Sequence, residues 1–263
     1  MVAGDSLKII VAAHKPYWMP DDEAYTPVWV NAAANGDGIP VGWLRDDAGD
    51  NISHKNTTYC ELTALFWAWK NLDADYLGLA HYRRHFAFAK TGEKKARVAT
   101  GEQILAALGK APVILPKKRN YFIETNYSQY VHAHHEEDLV QTRVILEESY
   151  PEMLAAYDAS MDRTTGHRFN MFAMRRDLAD EYCAWLFDVL GQLEERLDIS
   201  GYNDYDRRVF GFLAERLIDP WVETRGYPYV EMPVVNLEDQ HWLRKGTNFL
   251  KRKITSGKSG NEH

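Results

Sequence analysis

No apolar run in this sequence approaches the ~20 residues that a membrane-crossing helix requires. The earliest one, "LKIIVAA", is too short for a signal peptide and continues into sequence that looks structural, so a cytoplasmic protein is expected. Cysteine is scarce: Cys60 and Cys183 have no metal-ligand spacing, which predicts free, non-catalytic thiols in a reducing compartment. Glycine is missing from "AAHKPYW", where a dinucleotide fingerprint or a phosphate loop would need it, and no Gly-x-Ser-x-Gly elbow occurs. Nicotinamide, P-loop and ordinary serine-hydrolase chemistries therefore drop out. Positive charge is also short, with 31 basic against 38 acidic residues and a net charge of −7, which argues against a general nucleic-acid binder. What is present, 45% hydrophobic and 13% aromatic residues over 263 positions, suffices for a sizeable core. A single domain over residues 1–240 is expected, with a basic tail over 241–263.

The order of elements sets the fold class. "KIIVAA" (8–13) reads as a buried parallel strand ending at His14 and Lys15, and 16–53, rich in Pro, Gly, Asp and Asn, reads as loop with at most short elements. A helix through "TTYCELTALFWAWKN" follows, with capping-box spacing between Thr58 and Glu61, and "DYLGLAHY" (75–82) is the next strand. Thr100 and Gln103 predict a second capping box, Gly109 a helix stop, and "PVILP" (112–116) a short strand. Helices are predicted over 136–150, from Pro151, from Asp177 as a cap, and over about 205–218; "HRFNMFAM" (167–174) and "YVEMPVV" (229–235) read as strands. This alternation predicts an α/β fold with a mostly parallel central sheet flanked by helices. In such sheets ligands bind at the carboxyl ends of the strands.

That rule sorts the motifs. Asp73 and Asp75 stand at the start of the 75–82 strand and read as turn residues, whereas His81, Tyr82, Arg83 and Arg84 stand at its finish. Two adjacent arginines there fork onto phosphate oxygens, with His81 and Tyr82 as further donors; pairing with the chain's acids is an equal reading. "HAHHEED" (132–138) packs three histidines and three acids into seven residues. Helix capping and surface chemistry are preferred there over a metal site, and His135 and Asp138 are kept as site candidates.

At "YLGLAHYRRHF", "NTTYCELTALFWAWKN", "FNMFAMRRDLADEYCAWLFDVL" and "RVFGFLAERL" the chain resembles a bacterial family of capsule and exopolysaccharide glycosyltransferases long catalogued as a domain of unknown function. The likeness runs from about Lys8 to about Asn236. Some members are assigned as galactofuranosyltransferases. The resemblance implies a GT-A-like, Rossmann-like nucleotide-sugar-binding fold and an enzyme that moves a sugar, galactose or galactofuranose, from a UDP-sugar to a glycan acceptor. On that plan HYRR occupies the place of a metal-binding Asp-x-Asp. Arg83, Arg84 and His81 then neutralise the leaving diphosphate, with no metal favoured and manganese or magnesium as the alternative. His14 and Lys15 would face the nucleotide, with Asn56 at its base or ribose. Asn170, beside a Met171 read as core, would face the sugar or acceptor. Asp204 and Asp206 are the candidates for the base that takes the acceptor's proton, although either also suits a helix cap; Arg208, placed at the acceptor or sugar site, and Glu215 lie in the same family-like block, seven apart on one helical face, where structural ion pairs fit them at least as well as chemistry.

The end of the chain, "HWLRKGTNFLKRKITSGK" (241–258), has six Lys and Arg residues and no acid, while carrying Trp242, Leu243, Phe249 and Leu250. A peripheral contact with an anionic membrane, suiting a lipid-linked acceptor, and a solvated tail both fit, the tail being preferred. Two other functions stay open: a non-catalytic nucleotide- or glycan-binding protein of the same fold, and an enzyme on another phosphate-containing substrate.

Overall fold

A computed structural model describes residues 5–238. In chain order it forms β1 (Leu7–Ala13), β2 (Tyr25–Trp29), β3 (Leu44–Arg45), α1 (Asn56–Tyr59), α2 (Leu62–Asn71), β4 (Tyr76–His81), β5 (Arg84–Phe86), α3 (Gly101–Leu108), β6 (Val113–Pro116) and β7 (Arg119–Asn120). There follow α4 (Asn126–Val131), α5 (Glu136–Ser149), α6 (Pro151–Asp162), β8 (Thr165–Gly166), β9 (Phe172–Arg175), α7 (Arg176–Arg196), α8 (Val209–Ala214), α9 (Ile218–Arg225), β10 (Tyr229–Met232) and β11 (Val234–Asn236). The main sheet runs β10-β6-β9-β4-β1-β2-β3, with β5 and β11 as an antiparallel extension beyond β4. Strands β1 to β4 are mutually parallel, β9 is antiparallel to both β4 and β6, and β10 is parallel to β6. All the strands of the main path but β9 therefore point the same way, as the mostly parallel expectation required.

β1 shows why its sequence does not alternate. Ile10 and Ala12 pack into one buried cluster with α2, α7 and α8, while Ile9, Val11 and Ala13 pack into another with Ile104 and Leu108 of α3, so both faces are covered. The long α7 lays Leu178, Tyr182, Trp185, Val189 and Leu193 onto the first cluster, at the predicted spacing. The capping box of α3 and Pro151 in the first turn of α6 are both as predicted.

Several expectations are corrected. The stretch 16–53 holds β2, missed because Pro27 interrupts it. The Ile9 N–H donates to the Ala24 carbonyl and the Val30 N–H to that of Ala13, so even-numbered residues face β1 and Pro27 faces away. β3 reaches only Val28 and Trp29, so the missing N–H of Pro27 costs no ladder bond. The helix over 57–71 is broken at Cys60, whose φ of 54° lies in the left-handed region, and Thr58 donates to the Lys55 carbonyl in place of a capping box. Residues 167–171 are irregular, with Phe169 and Asn170 at positive φ, and the strand begins only at Phe172. Asp177 pairs with Arg175 and does not cap α7. The 205–218 helix shrinks to a short turn at Asp206–Arg208 plus α8, α9 follows it, and Pro233 divides the last strand into β10 and β11. The expected tail over 241–263 lies outside the described residues. Within them no helix is long and apolar enough to cross a membrane.

Candidate active site

A cavity of about 810 Å³ opens at the carboxyl ends of β1 and β4. His14 comes from the end of β1, His81 from the end of β4, Tyr82 and Arg83 from the turn after it, Arg84 from the start of β5, Asn56, Thr57, Cys60 and Glu61 from the α1–α2 segment, and Asp204, Arg207, Arg208 and Glu215 from the approach to and end of α8. The HYRR cluster thus lines a cavity at the strand ends, where the strand-end rule looks for a ligand. Asp75, at the other end of β4, accepts hydrogen bonds from the Ser6 backbone and hydroxyl, a local tie that holds the start of the strand.

Among the cations, Arg84 is the least satisfied. Its Nε is buried with no hydrogen-bond partner, and its guanidinium lies 4.7 Å from the centre of the Phe169 ring. Burial, then the neighbouring charge of Arg83, pulls its pKa down from the usual arginine value, while Glu215 and Glu61 act the other way. An anion entering the cavity supplies what this guanidinium lacks. Arg83 lines the cavity and Lys15 does not; they lie 3.3 and 3.7 Å from the carboxylate of Glu238. Tyr82 is buried, with His14 and Tyr17 edge-on to its ring at 5.1 and 5.0 Å. Burial first, and then Lys15, Arg83 and Arg208, lower the His14 pKa, so its imidazole is neutral at pH 7. Arg208 donates through Nε to the Cys60 sulfur at 3.2 Å. Burial pushes the Cys60 thiol up to about 11, which keeps it protonated.

The break at Cys60 makes the carboxylate side of the site. The Asn56 amide donates to the Cys60 carbonyl at 2.7 Å and to the Thr63 hydroxyl at 3.0 Å, so Asn56 fastens the α1–α2 corner from within the cavity wall. Gly211 of α8 lets the corner sit close, since a Cβ there would lie 3.3 Å from the Cys60 Cβ and Sγ. Thus turned, Glu61 points into the cavity: its Oε1 accepts from the Asn170 amide at 2.7 Å and lies 3.9 Å from His81 Nε2, while Oε2 takes part in no described hydrogen bond. Asn170 also donates to the Gly211 carbonyl at 3.0 Å, so it orients Glu61 from behind the wall. His81 Nε2 is hydrogen-bonded with the Phe169 carbonyl. Met171 is core, as expected.

The other candidates divide. Asp204 lines the cavity and is exposed. Asp206 is turned away into a clasp: Oδ1 meets His134 Nδ1 at 3.1 Å, and Oδ2 accepts from Asn203 at 2.5 Å and lies 3.6 Å from His135. Asp138 is buried and accepts from the hydroxyls of Tyr130 at 2.7 Å and Tyr202 at 2.6 Å. His135 stacks on Tyr202. These three tie α5 to the loop before α8 outside the cavity. Sequence reasoning missed Glu61, because a Thr-x-x-Glu spacing reads as a cap, and for Glu215 it ranked a structural ion pair at least as high as chemistry. Among the described residues no group of three His, Cys, Asp or Glu side chains is arranged to hold a metal ion.

The comparisons with known proteins bear on the family and the fold. A family model described as "Domain of unknown function (DUF4422)" matches residues 8–226. No curated protein matches the sequence significantly. Among solved structures, the apo structure of the WbbM bifunctional glycosyltransferase superposes with a TM-score of 0.81 at 31% identity, over 89% of this chain and 46% of that one. The chain spans about half the length of that enzyme.

Proposed function

We propose, for a chain that belongs to the DUF4422 family, that it transfers a sugar from a nucleotide-sugar donor to a glycan acceptor. The observation that carries the reading is Arg84, whose buried Nε has no hydrogen-bond partner among the described residues, in a cavity that also holds the oriented carboxylate of Glu61. The donor diphosphate lies against Arg84, with Arg83 and Lys15 released from Glu238 to meet it. The acceptor hydroxyl oxygen bonds to the anomeric carbon as the bond from that carbon to the phosphate oxygen breaks, and the nucleoside diphosphate departs with the electron pair. Arginines aimed at the charge that develops on the leaving group stabilise the transition state, the role a divalent cation fills in other transferases of this fold. Glu61 takes the acceptor's proton, and the Asn170 amide holds it in place. The resemblance to capsule and exopolysaccharide enzymes extends the donor to UDP-galactose or UDP-galactofuranose and the acceptor to a growing surface glycan.

The test is a thermal-denaturation panel of UDP and UDP-sugars, with EDTA or with manganese, on the wild type and Arg84→Ala. Stabilisation by UDP or a UDP-sugar that survives EDTA and disappears in Arg84→Ala is expected. Stabilisation only with manganese overturns the role given to the arginines, and no stabilisation by any nucleotide overturns the transferase reading.

A further inference from the structure

The segment joining β6 to α4 carries at its tip two adjacent apolar side chains that touch little of the protein: Phe122 is 80% and Ile123 92% exposed. We infer that this tip, Phe122 and Ile123 with Lys117, Lys118 and Arg119 before them, is a docking element for an anionic bilayer surface. A bulky residue rarely adopts positive φ, yet Phe122 sits at φ 63°. That conformation is held locally: the Phe122 N–H donates to Asn120 Oδ1 at 2.7 Å, the Tyr121 N–H to the Thr164 carbonyl at 2.8 Å, and the Ile123 N–H to the Tyr121 carbonyl at 2.8 Å. The short β7–β8 pairing closes the base of the segment. A tip built in this way presents its apolar side chains to the surroundings at little further ordering cost.

Charge selects the partner. The chain as a whole is acidic, at −7, yet three consecutive basic residues precede this tip. The acid that follows it, Glu124, is engaged by His132 at 2.7 Å. Basic side chains beside exposed aromatic and aliphatic ones match an interface of anionic headgroups over acyl chains, where the charges attract and the apolar groups insert. Position supports the same partner. β6 and β4 are both antiparallel to β9, so the segment after β6 leaves from the sheet edge at which HYRR follows β4 and the cavity opens. A direct tether joins the two places: Arg168 donates to the Tyr121 hydroxyl at 3.2 Å and to the backbone carbonyl of the cavity residue Glu215 at 3.2 Å. A protein docked by this tip holds the cavity edge of its sheet toward the lipid. The inference does not rest on sugar transfer, and its test uses neither donor nor acceptor.

The experiment is co-sedimentation of the full chain with vesicles of phosphatidylglycerol and phosphatidylcholine in equal parts, and with phosphatidylcholine alone, for the wild type and for Phe122→Ser/Ile123→Ser. Wild type is expected to bind the anionic vesicles more tightly than the neutral ones and to weaken with salt. The double variant is expected to lose affinity by about tenfold or more, with an unchanged thermal midpoint because both positions are exposed. Equal binding by wild type and variant overturns the inference by assigning the contact to another part of the chain, residues 241–263 included. Failure of the wild type to bind either vesicle overturns it as well. A drop in oligomeric mass of the variant by light scattering, without a change in vesicle binding, assigns the tip to a second copy of the chain instead.

Discussion

Arg84 and Glu61 hold opposite charges in one cavity and are held differently, which makes their substitutions separable. Arg84 Nε has no hydrogen-bond partner among the described residues, so apart from the ring contact with Phe169, Arg84→Ala removes an interaction made with the ligand. Its transfer rate is expected to fall about 10²–10³-fold, as when a charge-stabilising group is lost, while the thermal midpoint of the free protein holds steady. Glu61→Gln keeps the shape and a partner for Asn170 but removes the base. Steady-state transfer is expected to fall roughly 10²–10⁴-fold with UDP binding retained. If instead Asp204→Asn abolishes transfer and Glu61→Gln does not, the proton goes to the rim carboxylate. Asp206→Asn acts elsewhere, because its partners His134, His135 and Asn203 lie outside the cavity. It should cost about 1–2 kcal/mol of stability and leave nucleotide binding intact, which denaturation and binding measurements on the same sample will distinguish.

At the scale of elements, the site depends on close approaches that particular residues permit. β4 crosses β9 at Gly78, where an added Cβ would lie 2.6 Å from Ile9 Cδ1 and 2.7 Å from the Phe172 carbonyl oxygen. One of these atoms is backbone and cannot step aside. Gly78→Ala is therefore expected to destabilise by about 1–3 kcal/mol and, by moving β4 against β9, to displace His81 from the Phe169 carbonyl and Glu61 from Asn170. Urea unfolding checks the first effect. An unaltered midpoint would mean that the two strands adjust without strain. The α1–α2 corner is the other such place. Its helical periodicity is genuine on both sides of Cys60, but the Asn56 amide and the close face of α8 at Gly211 fix a bend that periodicity does not encode.

Across the whole molecule, the irregular segment before β9 is locked to α9 and β10 through one buried knot. His167 is 1% exposed; its Nδ1 is hydrogen-bonded with Asp219, its N–H donates to Asp219 Oδ2 at 3.0 Å, and its Nε2 lies 3.1 Å from Glu231. Burial acts to raise the Asp219 pKa, but the His167 hydrogen bond and the charges of His167 and Arg168 outweigh it and hold the carboxyl below the usual range. For a depressed acid the stabilisation is present above the unfolded value, near ~4, and is lost as pH falls through the folded value. Asp219→Asn is thus expected to cost about 3 kcal/mol near neutrality and progressively less below that range, in urea titrations at a series of pH values. A wild-type advantage independent of pH would show that shape, not charge, does the holding.

The sequence by itself determined the parallel α/β sheet, its strongest strands and helices, and the cavity edge at HYRR. Those features rest on local patterns: apolar runs buried on both faces, capping residues, and the rule that ligands gather at strand ends. Only the tertiary structure decided which carboxylates face the cavity. Glu61 and Asp206 each carry a local signature of helix capping, and neither signature reports direction. A left-handed Cys60 turned Glu61 inward, and the histidines of a distant loop drew Asp206 outward. The physical reason is that periodicity and capping are set by neighbours in the chain, whereas the orientation of a polar side chain is set by whichever buried donors reach it across 60 or 100 residues, and these come into being only when the elements pack.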